Sequence, residues 1–381
     1  MLTRQIFEAQ EVPEEIWALA CDWRAANPSY RSPFFSSQFT KLMSELRSDV
    51  RIAVAADEKG PVLIWPLHLS GSGWAYGIGG PYSDRNGPLL RPGAEYALTD
   101  LLDALNISGF VTNGLSDLRG MMPETERVES SYITDLSAGW EAFFQKQKAL
   151  YAKHFKRLGR LERKLEREHP GVEFTFNDQD DDLVDQLFAL KAKQFSETGR
   201  HNVLASQWAR QMFDRLRRSD DPNCQTIFST LKQNGRLIAA ELNLRSGDAV
   251  NGWIVGYDPE FAAYSPGNLV TLKLLQAMPQ HGMVWYDAGP GNHHYKKYVS
   301  NAEQPIQVGV FKASRRSAHP GSLFRSSWDY LERNTPTSLS EHLMRIRRRA
   351  DVICAAEIEF DRRVAGFVRA ALPGKPRSSE Q

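Results

Sequence analysis

Apolar residues at helical spacing from Glu14 to Ala26 predict a first helix, and SSQFTKLMSEL predicts a second with Ser36 or Ser37 as its N-cap. RIAVAADEKGPVLIWPLHL then places two β-rich runs around Asp57-Glu58-Lys59-Gly60, which is hairpin composition. EYALTDLLDAL reads as a helix, and SGFVTN and SSYITDL read as short strands. The order is helix, helix, hairpin, helix, strand, strand.

The second half repeats much of that order. Asp180 or Asp181 can cap a helix through Leu183, Val184, Leu187, Phe188 and Phe195, and Ser206 opens another through Trp208, Met212 and Leu216. QTIFSTLKQNGRLIAAELNL follows, with Asn234-Gly235 as a type I′ hairpin turn. NGWIVGY reads as a strand, SPGNLVTLKLLQAM as a helix and MVWYDAG as a strand. Laying Gly60 on Gly235, an offset of 175 residues, also aligns Val62 with Leu237, Leu63 with Ile238, Leu67 with Leu242 and Leu69 with Leu244. The pattern predicts two tandem copies of one α/β unit; a chance likeness of two hairpins is the alternative. The copies differ in chemistry. Gly114 in the first falls where the second has Asp287, no Tyr-Lys pair follows it, and Pro66 replaces Glu241, so the second copy is the better place for a reaction.

Between the copies, Lys146 to Glu168 holds nine Lys/Arg against three Glu and reads as one long basic helix. It is either a solvated connector with pairs such as Arg163 with Glu166 and Lys164 with Glu168, or a docking face for an anionic substrate. From about Ser338 a basic helix around Arg345 to Arg349, a further helix and a Pro/Ser-rich tail are expected.

Composition narrows the partners. The chain has 381 residues, 41% hydrophobic and 24% charged, with a net charge of +1, so it should hold about two globular domains and has no global pull toward nucleic acid or acidic membrane. Cys21, Cys224 and Cys354 are too scattered for a disulfide framework or zinc knuckle and suit a reducing compartment. The first residues, MLTRQIFEAQEVPEE, lack the apolar run of a signal peptide. Gly60 to Ser83 is uncharged except for its histidine, but its three prolines and six glycines read as strands and turns rather than a membrane span. A cytoplasmic protein is expected.

Two stretches carry candidate chemistry. In GWIVGYDPEFAAYSPGNLVTLKLLQAM a strand ends at Tyr257-Asp258-Pro259 and a helix begins after Ser265, with Ser265 suited to the N-cap and Pro266 to the first helical position. The amides of Gly267, Asn268 and Leu269 would then be unpaired and able to bind phosphate, unless this is simply a well-capped helix start. In DAGPGNHHYKKY, Asp287 should lie at a strand end, with Gly289 and Gly291 bending the chain before Tyr295 and Lys296. Lys296, paired with Asp287, could neutralise an oxyanion or carboxylate, and Tyr295 could donate a proton. His293 and His294 have no ligand spacing, so no metal is expected, and GxSxG, HExxH and GxxxxGK[ST] are missing.

SPFFSSQF, WPLHL and YSDRNGPLL in the first copy, with GYDPEFAAYSPGNL and the run Asp287-x-Gly289-x-Gly291-x-x-x-Tyr295-Lys296 in the second, resemble GNAT-superfamily acetyltransferases of the cellulose-biosynthesis type, relatives of the Fem-type aminoacyl transferases. The resemblance covers most of residues 30 to 315. It implies an α/β (α+β) protein of two tandem GNAT-like domains, each a mixed central sheet flanked by helices: residues 1–136 with a degenerate site, a basic connector at 137–170, an acyltransferase domain at 171–318, and a helical extension with a flexible tail at 319–381. It also implies acyl-CoA, in the first place acetyl-CoA, as co-substrate, and a small-molecule or sugar acceptor from cell-envelope or exopolysaccharide chemistry. The donor would lie on a splayed strand at Gly256 and Tyr257 and at the helix start Ser265, Pro266, Gly267, Asn268 and Leu269. Glu241 or Asp287 would be the base, with Lys296 and Tyr295 assisting. AAYSPGN keeps only the last glycine of the usual Gln/Arg-x-x-Gly-x-Gly/Ala loop, which leaves room for a Fem-like reading in which tRNA meets the basic helix.

Overall fold

The computed structural model describes residues 2–116, 127–198, 200–291, 294–314 and 327–371, except 329 and 333. The chain forms two units. The first comprises Met1–Val128, Ser196–Met212 and Ile306–Gln381, and the second Glu129–Phe195 and Phe213–Pro305.

In the first unit the chain runs β1 (Thr3–Phe7), α1 (Glu14–Ala26), α2 (Ser37–Leu46), β2 (Val50–Asp57), β3 (Gly60–Leu69), β4 (Trp74–Gly77), β5 (Leu89–Leu90), α3 (Leu98–Leu105) and β6 (Gly109–Ser116). Helix α1 buries Ile16, Trp17, Ala20 and Trp23, which fall on one helical face, and α2 starts where the Ser36 hydroxyl accepts from the Phe39 N–H at 3.4 Å. Strands β1, β2, β3 and β4 pair antiparallel in sequence, β5 pairs with β3, and β4 then pairs parallel with β6 across the α3 crossover. Trp65, Phe110, Leu63 and the leucines of α3 form the core beneath this sheet.

The second unit repeats the order. The chain runs on through β7 (Arg127–Asp135), α4 (Trp140–Leu150), α5 (Ala152–Glu168), β8 (Val172–Thr175), α6 (Asp181–Glu197), α7 (Gln207–Arg217, its residues to Met212 belonging to the first unit), β9 (Gln225–Gln233), β10 (Arg236–Ser246), β11 (Ala249–Tyr257), α8 (Pro266–Ala277), β12 (Trp285–Pro290) and the short α9 (Lys296–Val299); β13 (Ala302–Lys312) then returns to pair with β6 in the first unit. Strands β8 to β11 are antiparallel, and β11 pairs parallel with β12 across α8, as β4 does with β6 across α3. The expected duplication is therefore present in strand order and direction as well as in the hairpins at Gly60 and Gly235.

The basic segment differs from its expected form. It is two helices, because Tyr151 leaves helical geometry at φ −127°, ψ 42°. Neither is a solvated connector. Helix α5 buries Phe155, Leu158 and Leu165, packing Leu158 and Leu165 with Leu231, Phe261 and Leu269, and Gln147 of α4 donates to the Ser300 carbonyl at 2.7 Å. Of the two expected pairs, Lys164 with Glu168 is present at 3.7 Å. The C-terminal helix Thr337–Ala356 is likewise seated in the first unit. Arg47 Nη1 donates to the Ala355 carbonyl at 2.6 Å and Trp208 Nε1 to the Ala356 carbonyl at 2.7 Å. Arg47 also grips Asp49, which accepts from His68; burial opposes the charge, but these two donors hold the Asp49 carboxyl far below the usual carboxylate range. The expected Pro/Ser-rich tail lies outside the described residues.

Candidate active site

Strands β11 and β12 pair for only three residues: Ala249 with Trp285, Val250 with Tyr286, and Asn251 with Asp287. Beyond that vertex β11 stays bonded to β10 as far as Tyr257, while β12 turns away along β7. The edge of β11 from Gly252 to Tyr257 consequently has no strand partner on that side among the described residues, and an open parallel edge presents backbone N–H and C=O groups to whatever enters the wedge.

The first unit has the same wedge and fills it itself. After β4 ends at Gly77, the segment Asp84 to Gly87 enters the gap: the Asn86 N–H donates to the Gly114 carbonyl at 2.8 Å, and the Ser116 N–H donates to the Asn86 carbonyl at 2.9 Å. A Cβ at Gly114 would stand 1.8 Å from the Asp84 carbonyl oxygen, so the glycine at this position is what admits the plug. Among the described residues no such segment pairs at position 287, which carries a carboxylate. Thus YSDRNGPLL closes the first unit's wedge.

At the open vertex Asp287 is almost wholly buried. Its Oδ1 accepts from Ser131 Oγ at 2.5 Å and from the Gly289 N–H at 2.8 Å. Beside it on the same face of the sheet, Asn251 is buried with its Oδ1 lacking any partner among the described residues. Lys296 is also buried, and its ammonium donates to the carbonyls of Gly289 and Pro290, at 3.0 and 2.6 Å. Tyr295 opens α9 and is exposed. The residues 292 and 293 of this turn, His293 included, lie outside the described residues.

Glu241 lies on β10 under α8, fully buried, and accepts from Tyr286 Oη at 2.6 Å and from Thr271 Oγ1. A Cβ on Gly252 would meet Tyr286 Oη at 2.5 Å, so this glycine opens the path across β11. Burial pushes the Glu241 carboxyl up, only partly opposed by its two hydroxyl donors, and burial likewise pushes Tyr286 up. The folded protein therefore holds a proton on Glu241 that the unfolded chain releases above about pH 4.3, and stability from this site falls as pH rises from there toward the folded value. Glu241→Gln should flatten that slope above about pH 4.3, read from urea midpoints. Parallel curves for the two proteins would show that the carboxyl is ionised in the native state.

Helix α8 begins differently from its expected form. Ser265 holds the N-cap position in the left-handed region at φ 54°, and its hydroxyl caps nothing; its carbonyl instead accepts from the Asn268 and Leu269 amides at 3.1 and 3.3 Å. Of the three amides expected to be open, that of Gly267 is the one with no backbone acceptor in this turn. Pro266 is buried at the first helical position, and a Cβ on Gly267 would lie 3.6 Å from Tyr257 and 3.7 Å from Val255, so the helix start rests on the end of the open edge. Leu187 of α6 covers Gly256. Lys191, one helical turn on, sends its ammonium to the Val255 carbonyl at 3.3 Å. Nothing in the local sequence singles Lys191 out, since it reaches the edge only because α6 packs across β11.

Among the described residues, no group of three or more His, Cys, Asp or Glu side chains could hold a metal ion, and no helix is long and apolar enough to cross a membrane. Residues 152–297, from α5 to the start of α9, match the family described as an acetyltransferase (GNAT) domain. The match spans less than half of the chain, lies mostly in the second unit and includes the split β11–β12 pair. Among solved structures, FemX superposes with a TM-score of 0.51 at 10% identity, covering 81% of this chain and 96% of FemX. A tandem GNAT protein from the clavulanic acid biosynthesis pathway gives 0.49 at 12% identity, covering 83% of this chain and 100% of that one. L-PGS from Bacillus licheniformis gives 0.42 at 12%, covering 83% and 96%. No curated protein matches the sequence.

Proposed function

We infer that the protein is an acyltransferase that moves an acyl group, in the first place acetyl, from acyl-CoA to an amine or hydroxyl in the open wedge of the second unit. The observation that carries this reading is the contrast between the two wedges, one plugged by its own chain and one left open beside a buried carboxylate. An extended, amide-bearing donor arm can pair with an open strand edge as an added strand does, and the phosphates at its far end suit a helix start. The residues fit such a donor: Gly252 to Tyr257 offer the edge, Gly256 and Gly267 keep it low, and Lys191 adds a cation at its end.

In this reading the acceptor nitrogen or oxygen attacks the acyl carbonyl, and an N–H of the open edge donates to the developing oxyanion. The acceptor proton passes to the Asp287 carboxylate, with Asn251 Oδ1 available to an acceptor N–H or O–H. Thiolate leaves as the carbonyl reforms. Fully enclosed Glu241 serves the packing of α8 and β12. An acceptor from cell-envelope or polysaccharide chemistry, as in the cellulose-biosynthesis type, rests on the motif resemblance, and a cytoplasmic setting agrees with an acyl-CoA donor.

Acetyl-CoA at about 100 times its dissociation constant should stabilise the protein by about 2.7 kcal/mol. Gly267→Val should weaken acetyl-CoA binding at least tenfold with the melting temperature unchanged, because its γ-carbons would crowd Tyr257 and Val255 where the donor lies. Calorimetric titration reads both. Unchanged affinity removes the helix start from the donor site, and stabilisation by aminoacyl-tRNA with none by any acyl-CoA would select the Fem-like reading.

A further inference from the structure

The first turns of α5, a helix that also packs against α8, meet the short α9 that follows β12 in the chain. His154 stacks flat on Tyr298, with ring centroids 3.6 Å apart, and His294 and Tyr151 pack edge-on against the same ring. The Lys297 ammonium lies 5.1 Å from the centre of that ring. Every charged group that acts on His154 is cationic: Arg157, His294 and Lys297, which together with burial push its pKa down. Among the described residues no carboxylate lies within ion-pair distance of His154, Arg157, His294 or Lys297, although elsewhere on the same helix Lys164 and Arg167 both reach Glu168. Arg157, His294 and Lys297 are exposed, with Lys153 and Lys156 on the adjoining turn.

Like charges gathered on an aromatic platform without a counter-ion repel one another, and a multivalent anion removes that cost. We propose that His154, Arg157, His294 and Lys297 form an anion subsite on α5 and α9 that binds a phosphate group of the acceptor, so that the substrate receiving the acyl group is phosphorylated. The proposal rests on the acyltransferase reading for the word acceptor, since a CoA donor also carries phosphates. Competition separates the two: donor phosphates are assigned to the start of α8, against Tyr257 and Val255 of β11, whereas this cluster is built from α5 and α9, so coenzyme A should leave it free.

Inorganic pyrophosphate is the probe, titrated calorimetrically into the full-length protein alone and saturated with coenzyme A. Saturable binding is expected in both, weakened at least tenfold by Arg157→Glu and by Lys297→Glu, whose exposed positions leave the fold intact. Three results overturn the proposal: pyrophosphate displaced by coenzyme A, affinity unchanged in both variants, or no saturable binding below about 10 mM. If coenzyme A does not bind while pyrophosphate does, and depends on Arg157 and Lys297, the anion subsite stands and the acyl-CoA reading falls.

Discussion

Asp287→Asn should lower turnover by at least about 100-fold while leaving the melting temperature nearly unchanged. Both described bonds of Asp287, from Ser131 Oγ and from the Gly289 N–H, end on Oδ1. An asparagine placing its oxygen there accepts both, so these two bonds survive while the charge and the ability to take a proton are lost. Steady-state acetylation of the best acceptor found, with donor affinity measured in parallel, gives the answer. Near-normal turnover in a folded variant would assign Asp287 to the architecture of the vertex and leave the acceptor to lose its proton to water.

Lys296→Met should cost about 100-fold in turnover through a different route. Lys296 is buried at 4% exposure, and its ammonium binds two carbonyls of the turn that follows Asp287. Methionine retains the apolar stem but leaves the Gly289 and Pro290 carbonyls without that donor, a loss of about 1–3 kcal/mol, so the melting temperature should fall by several degrees as well. The Gly289 N–H that steadies Asp287 belongs to the same turn, which makes Lys296 a positioning residue for the carboxylate. Lys296→Arg keeps charge and donors and should recover at least tenfold of the lost turnover with the donor dissociation constant unchanged. If Lys296→Met unfolds no more easily and turns over normally, the turn holds itself.

Side-chain pattern alone determined much of this protein. The bounds Glu14 to Ala26, the Ser36 cap, the Asn234-Gly235 hairpin and the repeat of helix pair, hairpin, strand, helix and strand are local facts of periodicity and turn chemistry, and they survive folding because packing reinforces each of them. The place of Asp287 on the strand β12 was also legible, from the short apolar run that carries it. Tertiary structure decided the rest. That Asp84 to Gly87 seals one wedge while the other stays open depends on strand pairings whose partners are far apart in sequence. That the Lys296 ammonium donates to the Gly289 and Pro290 carbonyls is likewise set by how the chain folds, and no residue spacing gives it. Glu241 is enclosed, Lys191 reaches the edge and α5 sinks three apolar residues into the second unit for one physical reason: a side chain's surroundings are fixed by the elements that pack over it, which its neighbours in sequence do not specify.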